Sequence, residues 1–174
     1  MSAPTFDLPR RRLLWAGGGL LLTAAWSPRA HAAGEIEIAL SGTANGSEVW
    51  FRPRGLLLQP GQAVRWVNRD LGNVHTSTAY HPDNGKPLRI PRGAKSWNSD
   101  YLMPGQSFVM KFEVPGIYDY FCIPHEHAGM VGRIVVGKPA ASAHPYAESD
   151  AQLPAAALAN FPSVADILKA SPIR

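Results

Sequence analysis

The chain has 174 residues, 17 of them basic and 13 acidic, with six histidines, four methionines and a single cysteine. That length suits one domain with a tail, and one cysteine excludes a scaffold stapled by internal disulfides. Residues 1–32 hold four of the basic residues and one acidic residue, so the remainder carries 13 basic against 12 acidic, a net charge of +1. So small a balance argues against nucleic-acid binding.

The N-terminal segment reads as an address. Arg10, Arg11 and Arg12 precede an apolar run from Leu13 to Trp26, and Ala30-His31-Ala32 follows. Charged, apolar and small-residue stretches in that order form a secretory signal. The run also falls short of the roughly 20 residues that span a bilayer. The expectation is a signal peptide over 1–32, cleaved after Ala32, with delivery to the periplasm; an uncleaved segment would instead anchor the chain. Arg10-Arg11-Arg12-Leu13-Leu14 resembles the twin-arginine motif, with Pro9 where serine or threonine is usual. Both that route and the general secretory one stay open.

Beyond residue 32 the pattern is β. Glu35 to Leu40 alternates polar and apolar, as a half-buried strand does. Ser47–Phe51 and Ala63–Val67 are β-branched and aromatic, with Pro60-Gly61 turning into the second. Ser107–Val114 alternates again, Pro115-Gly116 turns into Ile117–Phe121, and Val131–Val136 closes the series. Short strands separated by Gly and Pro turns predict a sandwich or barrel. The stretch from Tyr80 to Gly105 reads as a long polar loop without an assigned task. From Lys138 the composition turns to Ala, Pro and Ser. Ser163 to Asp166 resembles a capping box, placing Val164, Ile167 and Leu168 on one helical face. The tail over 138–174 is therefore either a short helix docked on the sheets or a frayed, partner-binding segment.

One run concentrates the chemistry. Residues 118–136 contain Cys122, His125 and Met130, a thiolate, an imidazole and a thioether within nine residues. Such soft or borderline donors favour copper over oxygen-loving cations. Side chains repeat every second residue along a strand, so Tyr118, Tyr120 and Cys122 share a face and Phe121 takes the other. Gly129 lets the loop turn back tightly, so that Met130 points at the same centre. A second histidine must come from elsewhere, and His75 in NRDLGNVHTS is the best candidate. Taken alone, the cysteine could be an inert core residue and Met130 core packing; their spacing from His125 favours ligation.

The run Tyr118-Asp119-Tyr120-Phe121-Cys122-Ile123-Pro124-His125, followed by Ala128-Gly129-Met130-Val131-Gly132, resembles the copper loop of plastocyanin-like cupredoxins. Its Cys-x2-His-x4-Met spacing is that of the plastocyanin, pseudoazurin and halocyanin group, and Asn68 to Thr76 resembles the group's first-histidine loop. The resemblance implies an all-β cupredoxin fold, a Greek-key β-sandwich or barrel over residues 33–137. It implies one type 1 copper ion held by His75, Cys122, His125 and Met130, with Met130 as the weak axial ligand. It further implies a monomeric electron carrier with no position open to substrate. The partners would be redox proteins such as a cytochrome, oxidase or reductase, and a membrane would be met only through them. A periplasmic copper-handling protein is the alternative. A coupled copper enzyme would need a His-Cys-His bridge, and Cys122 is flanked by Phe121 and Ile123.

By the same resemblance His125 would reach an apolar surface, with Leu71, Gly72, Val74, Pro124, Ala128 and Gly129 around it. Departures from the group are Thr76, where asparagine is common, and Phe121, where plant members expose a tyrosine. Acidic docking patches are not evident. Arg89, Arg92 and Lys95 are expected on a solvated loop, with steering of an acidic partner as the alternative. His127 is expected exposed beside the site, and His81 and His144 in loops.

Overall fold

The computed structural model describes residues 35–139 and 146–174. Residues 1–32, expected as a signal peptide, and His144 lie outside the described residues. Eight strands form two four-stranded sheets: β1 (Ile36–Gly42), β2 (Val49–Arg52), β3 (Gly55–Leu58), β4 (Gln62–Asn68), β5 (Thr78–Ala79), β6 (Ser107–Phe112), β7 (Gly116–Phe121) and β8 (Val131–Val136). One sheet has the order β2-β1-β4-β6 and the other β3-β8-β7-β5. Both are mixed. The pairs β1–β4 and β3–β8 run parallel, and the remaining neighbours antiparallel. This is the expected all-β architecture of two sheets.

Six of the eight strands answer to the predicted segments, and two do not. β3 is the apolar run Gly-Leu-Leu-Leu, whose continuous apolarity carries no period of two. β5 is two residues long and is recruited by its pairing with Tyr120 and Phe121.

The inner faces alternate as the pleat requires. Ile38, Leu40, Val64, Trp66 and Phe112 from one sheet meet Leu56, Leu58, Tyr118, Tyr120, Ile134 and Val136 from the other. Trp66 is fully buried and stands edge-on to Tyr120, ring centroids 5.5 Å apart. The stretch from Tyr80 to Gly105 contributes to this core. Ile90, Trp97 and Leu102 are buried in it, and the Trp97 indole donates to Ser77 Oγ at 3.0 Å.

The outer face of the second sheet is covered too, which is why β8 is buried at every position. Helices α1 (Ala155–Asn160) and α2 (Val164–Ala170) lie on it. Leu153 and Ala157 pack on Tyr80, Phe121 and Val131; Val164 and Ile167 pack on Ile117 and Val135. The Ser163 hydroxyl caps α2 by accepting from Asp166 N at 3.0 Å, and donates to Asp166 Oδ2 at 2.7 Å. The chain end then closes the free edge of β3, with Ile173 N donating to Gly55 O at 2.8 Å. Among the described residues no helix is long and apolar enough to cross a membrane.

Arg89 corrects the solvated-loop expectation. It is 1% exposed, its Nε donating to Asp119 Oδ2 at 2.9 Å and its Nη1 to Asp150 Oδ1 at 2.6 Å. Arg133 donates to both oxygens of Asp119, at 2.7 and 2.9 Å. Both guanidiniums stack within 5.3 Å of the Phe161 ring. Asp119 sits opposite Arg133 in the β7–β8 register, on the face turned away from the core. The tail seals this cluster from water, so Arg89 is an internal tie. Arg92 and Lys95 are exposed as expected.

Candidate metal centre

β7 delivers Cys122 to one end of the sandwich, on the face that Tyr118 and Tyr120 define. The chain then makes a 3-10 turn over Ile123–Ala128, with Pro124 in its first turn and Gly129 closing it at φ 82°. A Cβ at Gly129 would strike the Asn160 side chain and the Ala156 carbonyl of α1. Glycine is thus required both for the left-handed backbone and for the close approach of the helix. His125 N donates to Cys122 O at 3.0 Å, Met130 N to His125 O at 3.1 Å, and Cys122 N to Met130 O at 3.0 Å. These bonds tie both ends of the loop together and bring Met130 back beside Cys122. Met130 and Cys122 are fully buried.

The second loop joins from the other sheet. His75 forms a bridge with Leu102 and is fully buried. Its neighbour Thr76 joins the two loops: Thr76 N donates to Cys122 Sγ at 3.2 Å, and Thr76 Oγ1 accepts from Ile123 N at 2.8 Å. His75 Nδ1 lies 3.7 Å from Cys122 Sγ, and His125 Nδ1 lies 3.5 Å from it. The donor atoms of all three side chains fall within 4.8 Å of one another.

The environment suits these atoms to a soft cation. Burial pushes the Cys122 thiol up to about 11, with the Thr76 N–H pulling in the opposite direction. A cation can take the place of its proton. Burial, and then the nearby His75, lower the pKa of His125, which keeps the imidazole neutral with its lone pair available.

Two carboxylates near the site carry no signal in the sequence pattern. Asp70 is 6% exposed, and its Oδ2 lies 3.0 Å from His75 Nε2. Burial alone would raise its pKa, but hydrogen bonds from Asn73, Gly72 and His75 bring it down to about 2. An ionised carboxylate only accepts, so this contact calls for a proton on His75 Nε2, while Nδ1 is the ring nitrogen turned toward the sulfur. Glu126, also buried, accepts from Tyr80 O–H at 3.0 Å and pairs with the Lys86 ammonium. That pair fastens the loop around His125 to the 80–105 stretch. Either residue is visible in the chain, as Asp70 five positions before His75 and Glu126 just after His125. Neither spacing reveals what the carboxylate touches.

His125 is half-buried, and Leu71 (91% exposed), Gly72, Pro124 and Ala128 stand exposed as expected. Gly129 departs from the expectation, because α1 covers it. Exposed Tyr101 and Met103 flank Leu102, the residue bridged to His75. His127 is exposed, and His81 starts the short turn at Pro82 with its ring accepting from Asp83 N.

A family model described as copper binding proteins, plastocyanin/azurin family, matches residues 37–137. A chloroplastic plastocyanin of Tetradesmus obliquus is 35% identical over 94 residues, covering 53% of this chain and 62% of that protein. The chain thus spans less than two thirds of that relative's length. A plastocyanin of Scenedesmus fuscus is 36% identical over 97 residues, covering 53% of this chain and 92% of that one. Among solved structures, a Sinorhizobium pseudoazurin aligns with a TM-score of 0.53 at 28% identity, over 72% of this chain and 90% of that chain.

Proposed function

The chain belongs to the plastocyanin/azurin family of copper-binding proteins, and from that premise we propose an exported carrier that passes single electrons between redox proteins. Its plastocyanin and pseudoazurin relatives support the reading of a copper electron-transfer protein. In this reading His75, Cys122, His125 and Met130 hold the ion. The observation that carries it is the convergence of one thiol and two imidazole nitrogens within 4.8 Å, with the buried Met130 tied to Cys122 by a backbone hydrogen bond. This donor set matches a trigonal His2Cys site with a weak axial thioether. Bound there, copper supplies a one-electron couple.

The chain's own residues supply the rest. Backbone ties across the loop, the Thr76 bridge and the Asp70 contact hold the donors in one arrangement. Little rearrangement then accompanies a change of charge. His125 alone of the three is half-buried, with its surroundings exposed and largely apolar, so it is the short route for an electron to a docked partner. The reading is a carrier rather than an enzyme. The partners are redox proteins of the cytochrome, oxidase or reductase kind, met by the protein as a monomer. The arginine-led N-terminal segment supports export to the periplasm.

Repeated oxidation and reduction against excess Cu(I) chelator tests the carrier reading. A carrier keeps its copper through many cycles; stoichiometric loss to the chelator would turn the reading to copper handling. For export, the full chain recovered from a bacterial periplasm should begin at Ala33, and retention of an uncleaved chain in the membrane would contradict it.

A further inference from the structure

Asp70 is buried, and its only ionic partner among the described residues is His75. The adjacent Arg69 turns outward to Glu37, at 2.9 Å and more than half exposed. Among the described residues no lysine or arginine pairs with the Asp70 carboxylate. Burying a carboxylate without a cation is costly, so the fold must gain something by retaining the charge there.

Turn capping does not account for it. Asp70 Oδ1 takes the backbone N–H groups of Gly72 at 2.9 Å and Asn73 at 3.2 Å, which is the ordinary work of an Asx turn and needs no charge. Oδ2 is aimed elsewhere, at His75 Nε2 and Asn73 Nδ2, both at 3.0 Å. Space is also reserved for it, since a Cβ at Gly42, the last residue of β1, would collide with Oδ2.

We propose that Asp70 is the positioning residue of the metal centre: it fixes the His75 ring with Nδ1 toward Cys122 and biases the site toward its more highly charged, oxidised state. This rests on the copper reading above. A hydrogen-bonded carboxylate makes an imidazole a more basic ligand and orients it. Its negative charge also favours the cation of higher charge, acting through a buried region where screening is weak. The missing countercharge for Asp70 is then the metal centre itself.

Asp70→Asn removes the charge while leaving an oxygen of similar size. Four donors converge on the two carboxylate oxygens, so the amide NH2 must oppose one pair of them. In copper-loaded protein the variant should keep the thiolate-to-copper band. At a fixed ambient potential its Cu(I) to Cu(II) ratio should rise at least ten-fold, about 59 mV for a one-electron couple. A blue variant with the wild-type midpoint would overturn the proposal and leave the copper reading intact. Wild-type protein lacking the band would overturn the copper reading and this inference with it. Nitrogen-15 NMR of metal-free wild-type protein serves if the variant does not fold. The His75 Nε2–H proton should be downfield and slow to exchange, and an Nδ1–H tautomer would sink the idea.

Discussion

At the scale of single residues, the candidate site is held by groups outside the proposed donor set. Thr76 accepts from Ile123 N with its hydroxyl and donates to Cys122 Sγ with its backbone. Thr76→Val removes the first contact and keeps the second. We expect a loss of about 1–3 kcal/mol in urea unfolding, with the visible band of the copper-loaded protein retained; an unchanged midpoint would count against the bridge. This scale also shows what a sequence can and cannot disclose. Cys122, His125 and Met130 stand out as candidates because donor types and spacing fall within nine residues. His75, 47 positions before Cys122, carries no spacing signal of its own; the need for a second histidine and the likeness of its loop single it out. Asp70 and Arg89 were illegible for a physical reason: a charged side chain is assigned to solvent unless its partner is visible. Arg89 finds Asp119 and Asp150 only after the sheet and tail have assembled.

Among elements, β7, β8 and the two tail helices act as one unit. A helix of six or seven residues is unstable alone, so α1 and α2 persist through what they cover. Alternation along β7 predicted which side chains face the core, but not that its other face is sealed. Sealing turns Asp119 into a carboxylate fully buried between two guanidiniums. Asp119→Asn leaves the buried Arg133 without its carboxylate and Arg89 with Asp150 alone, and is expected to cost about 3–5 kcal/mol by urea unfolding. A change below about 1 kcal/mol would mean that the arginines find water. The tail also distinguishes this chain's outline from its sequence: Phe121 stands where plant members expose a tyrosine, and here it is buried under Leu153 and Ala157.

For the whole molecule, the aromatic content of the interior sets a limit on alkaline stability. Burial pushes Tyr118 up to about 12 from 10.0, and it raises Tyr80, Tyr120 and Tyr146 as well. The folded state keeps these phenols neutral, whereas the unfolded chain ionises them near pH 10. Their contribution is complete below that value and is lost as pH rises through the folded pKa. The urea midpoint should therefore fall steeply between about pH 10 and 12, and a flat midpoint through about pH 11 would contradict the burial. Fold and centre together make one claim, that a β-sandwich brings a thiolate and two imidazoles around a single copper ion. Visible absorption and EPR of the copper-loaded protein beside Cys122→Ser test it most directly. The account predicts an intense thiolate-to-copper band and narrow copper hyperfine splitting, both lost in the variant. Weak colour with ordinary tetragonal copper in the wild-type protein would contradict it.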